Sequence, residues 1–376
     1  MKTLSILTPT RYPWRFNGPR HSRHRIEHRT FLPLNYVSTK IEGITLFNPL
    51  PPRRFDLVHA FNRLPIGTTP YIIGFESHLP RAYGLEQTAY FRTLRRSLAS
   101  PRCRGIIAIS EHARRIFEAV HADAPEADVL LAKTIVRFPN LPLPDLVEPD
   151  EPRISDHIRV SFVGNHFARK GGCVAIRLAE LAAARGIALH LTIASTLTMG
   201  RGIWTDPQRE GYFDDWLRRL EHPAITLLGP IDNAAVMDLF RYSDFSLLTT
   251  FSDTFGYSAL EAMAVGCPVI GTRQGALPEF IRDGQNGILL DLPTDEYGEW
   301  IESNTANRDS PAFEAKFTDE VERLAQQALD AIVRTHEEPG VLARMRVAAR
   351  QTIATHFGSQ DASRFWDDYY EVALNS

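Results

Sequence analysis

The sequence predicts an α/β protein of two domains, each built around a mainly parallel, doubly wound sheet. Three observations carry that expectation. The chain is 376 residues long, 44% apolar and 23% charged, a globular composition with length enough for two full cores. Short apolar runs alternate with amphipathic stretches, and the alternation occurs twice. Between the two cycles lies PNLPLPDLVEPDEP (139–152), where prolines and acids cluster without periodicity, as in a linker.

In the first cycle, strands are expected at 4–8, Ile44–Phe47, 57–60, Tyr71–Phe75 and 105–109, and helices at 85–99 and 111–120. His59, inside DLVHAFN, reads as a satisfied core histidine, and Ser110 in GIIAISEHARRIF as a helix N-cap. The second cycle opens with the strand RVSFVG, the loop NHFARKGG and a helix at 173–184. Strands at 188–194, 224–228 and 245–249 follow, with helices at 214–220 and 233–241. GALPEFIRDGQNGILLD gives a short helix and a strand Gly287–Leu290, and the tail from residue 317 is helical. Its last piece, 363–374, carries Phe365, Trp366, Tyr369, Tyr370 and Val372 on a broad apolar face. Domain limits are drawn at 1–148, a linker at 149–157, a second domain at 158–352 and a final helix at 353–376.

No apolar run approaches the roughly 18 residues of a membrane span, and the N-terminus lacks a cleavage pattern for a signal peptide. Cys103, Cys173 and Cys267 are far apart and without metal-ligand spacing, so they are read as packing residues in a reduced, cytoplasmic setting. The net charge of −3 hides an asymmetry. Residues 1–150 hold 21 Lys and Arg against 13 Asp and Glu, and the remainder 21 against 32, so +8 faces −11. The excess starts with Arg11, Arg15, Arg20, Arg23, Arg25 and Arg29, interleaved with His21, His24 and His28. Such a run suits an anionic membrane surface or a phosphorylated acceptor, or is simply a solvated loop and helix face. Nucleic acid is the least supported partner, since no binding motif accompanies the charge.

The chemistry concentrates in TTFSDTFGYSALEAMAVGCPVIGT (249–272), which reads as loop, helix, strand. Gly256 at the helix mouth lets a ligand approach the backbone, and the free N–H groups there favour an anion. Asp253 before that point and Glu261 eight residues later could bind hydroxyls on either side of a phosphate, the layout of a sugar nucleotide. Spacing alone favours an ordinary βα unit with solvated acids. Glu261 lies in the apolar string LEAMAVG, where a solvated acid is less natural. Upstream, Arg169 and Lys170 sit beside the glycines that open a helix, a second arrangement suited to a diphosphate, although such a string alone is more commonly a solvated turn.

The whole string 249–272 strongly resembles the signature of glycosyltransferase family 4, retaining enzymes of the GT-B fold. The likeness is dense over 159–291 and looser over 56–140. It implies two Rossmann-like domains facing a central cleft, with the last helix crossing back to the N-terminal domain. By the resemblance, Lys170 and Arg169 hold the leaving diphosphate. Many relatives carry Arg directly after the first Gly of that loop, where this chain has Asn165, a donor without charge. Asp253, one methylene shorter than the usual Glu, would face the sugar hydroxyls. Gly256, Tyr257 and Ser258 would offer backbone N–H groups, Glu261 would accept from the ribose, and Gly229 with Pro230 in LLGPID would meet the base. Relatives often place a His near the transferred sugar, and in YIIGFESHLPR either His78 or Glu76 takes that place. A glycine pair usually follows the first strand. Here NGPR has Gly18 alone, and Arg15 and Arg20 could replace backbone donors, which suggests an anionic acceptor.

The implied activity is retaining transfer of a hexose-type sugar from a UDP- or GDP-type donor to a saccharide or lipid-linked acceptor, in polysaccharide, lipopolysaccharide or glycolipid assembly. No cofactor beyond the donor is expected. No Asp-x-Asp motif follows a strand, so the transfer is expected to need no metal, with Arg, Lys and helix ends stabilising the leaving group. No G-x-G-x-x-G follows a strand and no G-x-S-x-G elbow occurs, so nicotinamide and hydrolase chemistry are not expected. Asp253, Asn165 and the altered first loop keep open a catalytically weak GT-B-fold binding or scaffold protein. An epimerase or phosphorylase is the third reading. The basic N-terminal charge could hold a cytoplasmic protein peripherally at an anionic inner leaflet.

Overall fold

A computed structural model of the chain describes residues 2–10, 12–144 and 157–375. Most of the expected linker, 149–156, lies outside the described residues. In chain order the strands are β1 (Ser5–Pro9), β2 (Arg25–Arg29), β3 (Phe31–Pro33), β4 (Ile44–Phe47), β5 (Leu57–Phe61), β6 (Leu64–Pro65), β7 (Tyr71–Phe75), β8 (Cys103–Ala108) and β9 (Thr134–Val136), then β10 (Ile158–Val163), β11 (Leu189–Ala194), β12 (Ile225–Leu227), β13 (Phe245–Leu248), β14 (Val269–Thr272) and β15 (Gly287–Leu290). The chain divides into two compact units, Met1–Pro142 with His356–Ser376, and Leu143–Thr355.

Each unit holds a six-stranded sheet, ordered β2-β1-β5-β7-β8-β9 and β12-β11-β10-β13-β14-β15. Every pairing within them is parallel. Strands buried on both faces read as continuous apolar runs, which is why YIIGF and RVSFV were recognisable. In the first sheet the chain leaves β1 for β2 on one side, then crosses to β5 on the other. In the second it does the same from β10 to β11 and later β13. The strand order therefore reverses between β1 and β5 and between β10 and β13, the points where open α/β sheets bind ligands. These are the two Rossmann-like units expected of the GT-B fold.

Side chains alternate across each strand, so one sheet serves two cores. In the first unit, Leu7, Val58, Tyr71, Ile73 and Ile106 point to Phe91, Leu94, Leu98 and Phe117. Ile6, Leu57, Ile72 and Ile107 point to Ala362, Trp366, Tyr370 and Ala373 of the helix Ser359–Asn375. That helix thus belongs to the first unit although it ends the chain. Burial of Trp366 contributes up to about 3 kcal/mol. His59 is wholly buried, with Nδ1 2.9 Å from the Tyr370 hydroxyl, and burial pushes its pKa down to about 3. A neutral core histidine is the outcome. Ser110 caps the helix Glu111–His121 by accepting from the Ala113 N–H at 2.9 Å.

Several expectations are corrected. The arginine run is only in part a loop and helix face: Arg15 is exposed in the short helix Tyr12–Phe16 and Arg20 and Arg23 lie in the loop after it, but Arg25–Arg29 is β2, at the sheet edge. Arg29 is buried against Glu27 and donates to the carbonyls of Asn48 and Pro51. Arg23 pairs with Asp368 and Glu371, and its backbone N–H meets Asp367 at 2.9 Å, so much of the basic run fastens the last helix. The helix expected from 85 starts at Ala89, because Thr88 caps it by accepting from the Phe91 N–H. The helical tail starts earlier than 317, at Pro311, behind the cap Ser310. Val372 is exposed, off the packed face. β4 is the strand expected at Ile44–Phe47, but it pairs with β3 and β6 in a separate short sheet, and β3, β6 and the edge strand β9 have no counterpart among the expected strands.

Candidate functional site

At the switch point of the second sheet, the loops after β10 and β13 each end in a glycine-headed helix. Gly171 (φ +92°) caps Gly172–Ala184 and Gly256 (φ +90°) caps Tyr257–Ala264. Neither helix has a side-chain cap or an acid in its first turn, so its positive end is open to an anion. A Cβ at Gly171 would lie 2.2 Å from Thr249 Oγ1 and 2.3 Å from its carbonyl oxygen, so the absent side chain lets the two loops meet.

Where they meet, Lys170 Nζ donates to Asp253 Oδ2 at 2.9 Å. Burial pushes the Asp253 carboxyl up, but the charges of Lys170 and Arg169, with hydrogen bonds from Lys170 and the Phe255 N–H, outweigh it and hold the carboxyl below its usual range. Arg169 is buried. Its guanidinium donates to the Ser252 carbonyl and lies 5.0 Å from the Trp204 ring centre. It therefore acts through charge from a fixed place, whereas Lys170 is the partly accessible cation. His166, within the same loop, has its pKa lowered by burial and by Arg169 and Lys170. Gln274 is buried and its Oε1 accepts from the Asp253 N–H at 3.4 Å.

Glu261 stands one turn into its helix, and its Oε1 accepts from Asn233 Nδ2 at 3.0 Å. Burial raises its pKa, against the pull of Asn233 and Lys170. Tyr257 packs its ring 5.6 Å from Phe255, and Ser258 lies in the first turn. Asn165 is exposed on the β10 loop and its carbonyl accepts from the Thr198 N–H. Gly229 (φ +68°) turns the chain after β12, with open space where a Cβ would stand, and its carbonyl accepts from the Ser195 N–H. Asn233, His166, Trp204 and Gln274 escaped the sequence reading. Asn233 directly follows the quoted LLGPID, and His166 is inside the quoted NHFARKGG, so position was the only signal either gave.

In the first unit, Glu76 leaves the end of β7 and Asn62 the end of β5. Asn62 Nδ2 donates to Glu76 Oε1 at 3.0 Å, and the Glu76 N–H donates back to Asn62 Oδ1 at 3.2 Å. This reciprocal pair holds Asn62 in the left-handed region (φ +60°), a strained place for a non-glycine residue. Arg81 Nη1 also donates to Glu76 Oε1, at 3.0 Å. His78 is half-buried, its ring edge-on to Tyr83 at 5.2 Å. Gly18 is explained by packing: a Cβ there would fall 2.5 Å from the Trp14 ring. Arg20 is half-buried, its pKa lowered by burial and by Arg15.

The family described as Glycosyl transferases group 1 matches residues 157–303, a span that contains Asn165, Arg169, Lys170, Asp253, Gly256 and Glu261. D-inositol 3-phosphate glycosyltransferase of Pseudarthrobacter chlorophenolicus is 36% identical over 88 residues, 23% of this chain and 20% of that protein. N-acetyl-alpha-D-glucosaminyl L-malate synthase of Bacillus anthracis is 44% identical over 68 residues, 18% of this chain and 17% of that one. The chain thus spans a fifth or less of the length of these relatives. Among solved structures, Anabaena Alr3699/HepE in complex with UDP-glucose superposes with a TM-score of 0.60 at 14% identity, covering 98% of this chain and 99% of that one. A glycosyltransferase from Rickettsia africae gives 0.58 at 15%, covering 86% and 78%. Residues 157–303 thus match the group 1 glycosyl transferases, and the chain as a whole has the GT-B architecture of these solved structures.

Proposed function

We propose that the chain is a retaining, family 4-type glycosyltransferase that moves a hexose-type sugar from a UDP- or GDP-linked donor to an acceptor hydroxyl, in polysaccharide, lipopolysaccharide or glycolipid assembly. The observation that carries this is the Lys170–Asp253 ion pair between two glycine-headed helices at the switch point of the second sheet. A donor diphosphate brings negative charge to the helix ends. Lys170 turns to its oxygens, and Asp253 is released to accept from the sugar hydroxyls. The bond from the sugar C1 to the diphosphate breaks, and the acceptor oxygen bonds C1 on the same face. The acceptor proton passes to a diphosphate oxygen, and the nucleoside diphosphate leaves. Lys170, Arg169 and the helix ends supply the positive charge, so the proposed transfer needs no metal. Glu261, oriented by Asn233, accepts from the ribose, and Gly229 with Pro230 borders the base. Glu76 and His78 are proposed to position the transferred sugar.

The test is a thermal-shift and turnover panel of nucleotide sugars, with UDP-glucose tried first because HepE is seen with it. Stabilisation and transfer by one donor, both weakened by Lys170→Ala, are expected. Binding without turnover in the wild type would favour the scaffold reading, and equilibration of the sugar without acceptor the epimerase. No helix among the described residues is long and apolar enough to cross a membrane. The exposed Arg15 and Arg25 leave a peripheral contact of a cytoplasmic protein within the proposal, and liposomes of anionic lipid at low salt test it.

A further inference from the structure

The first unit holds a cavity of about 270 Å³ at the switch point of its own sheet. Its floor comes from the ends of three neighbouring parallel strands: Pro9 of β1, Phe61 and Asn62 at β5, and Glu76 after β7. Its roof is one face of the short sheet, with Phe31 of β3 and Thr45 of β4. Trp14 closes a side. Three features define what fits. The walls present three aromatic rings, Trp14, Phe31 and Phe61, suited to the apolar face of a ring. The polar groups are the linked set Asn62–Glu76–Arg81, which offers donors and acceptors together. Trp14 and Thr45 are 5% and 3% exposed, and Trp14 Nε1 and Thr45 Oγ1 are buried with no hydrogen-bond partner among the described residues. Buried polar atoms are rarely left so unless something else supplies the partner.

We infer that this cavity binds one uncharged sugar ring, the acceptor end of the transfer. Its role as acceptor site rests on the transferase reading; the binding does not. The charges at the cavity are already matched, Arg81 by Glu76 and Arg63 by Glu42 at 3.4 Å. A phosphate or uronate would have to displace Glu76 or Glu42 to reach a cation there, while hydroxyl groups meet the Glu76 carboxylate and, with a small shift of the wall, the buried Trp14 Nε1 and Thr45 Oγ1. The volume lies just under the ~300 Å³ at which drug-sized sites begin, which suits a single ring. The anionic acceptor expected from Arg15 and Arg20 is not supported here, since neither lines the cavity.

The probes are methyl glycosides of glucose, galactose, mannose, rhamnose and N-acetylglucosamine, with glucuronic acid and sorbitol as controls, followed by saturation-transfer NMR on the full chain. At least one neutral glycoside should receive saturation on its ring protons, and sorbitol none. Thr45→Val should weaken that binding about fivefold or more while melting no lower than the wild type, because it removes a buried hydroxyl that lacks a partner. Trp14→Phe should weaken binding similarly. The inference falls if no glycoside binds, if binding survives both variants, or if glucuronic acid binds more tightly than every neutral glycoside. UDP-glucose stabilisation, measured in parallel, reports on the other unit. Glycoside binding without donor binding keeps this inference and sinks the transferase reading, and the reverse result does the opposite.

Discussion

The switch points of the two sheets lie at equivalent positions in the same topology and carry opposite chemistry. Beyond β10 and β13 stand Lys170, Arg169, Asp253 and two helix ends, a site made for an anion. Beyond β1 and β5 stand Trp14, Phe61 and Asn62 with Glu76 from the next strand, a site made for an apolar ring with hydroxyls. The contrast runs against bulk charge. The half of the chain with an excess of +8 holds the charge-matched cavity, and the half at −11 holds the cationic site. The reason is local. Arg23 and Arg29 are spent on Asp368, Glu371 and Glu27, whereas Lys170 faces one carboxylate that a ligand can displace. Topology fixes where a ligand goes, and a few loop residues fix which ligand.

Lys170→Ala should break the comparison most visibly. Removing one preorganised cation from a leaving group costs about 10²–10³ in turnover, read as the initial rate of donor consumption, while neutral glycoside binding stays unchanged. Loss of both together would mean that the two sites are not separable in the way proposed. Next in size is stability. Gly171→Ala places a Cβ against Thr249 backbone at φ +92°, so strain and overpacking add to about 3 kcal/mol or more. Gly18→Ala meets only the Trp14 ring and has ordinary backbone geometry, so about 1–3 kcal/mol is expected. Urea melts compare the two, and equal costs would refute the distinction between a backbone-tight anion loop and a side-chain-packed cavity.

The parts visible in the sequence are those where one residue type has one reason. Apolar runs such as YIIGF announce buried parallel strands, and a glycine at a helix mouth announces an open helix end. RIEHR hid its strand because an edge strand alternates charges, and only Glu27 and two distant carbonyls make Arg29 buriable. The site was visible as single residues but not as pairs. Lys170 meets Asp253 across 83 positions and Asn62 meets Glu76 across 14, distances that only the sheet closes. For Gly18 the sequence suggested a ligand, but Trp14 is what fills the space.

Asp253→Glu sharpens the sugar side of the cationic site. The longer acid must rearrange against Lys170, and one methylene in a binding pocket changes discrimination by about tenfold. The ratio of kcat/KM for UDP-glucose over UDP-galactose is the readout. An unchanged ratio with intact turnover would remove Asp253 from sugar contact and leave it as the resting partner of Lys170.

The smallest effect separates two acids of one segment by sign. Glu261 has a raised pKa in the fold, chiefly from burial, so its stability contribution is complete below the usual carboxylate range and is lost as pH rises through the raised value. Asp253 has a lowered one, held by Lys170 and Arg169 against burial, so its contribution is present above the usual range and lost as pH falls through the lowered value. Glu261→Gln should therefore raise Tm near neutral pH, by less than about 3 °C, and the gain should vanish toward about pH 4. Asp253→Asn should lower Tm at neutral pH and converge on the wild type only in stronger acid. Glu261→Gln should also weaken donor binding, since the ribose loses its acceptor, so this residue trades stability for binding. Tm shifts of the same sign at neutral pH would show that burial and charge do not divide between the two acids as the geometry has it.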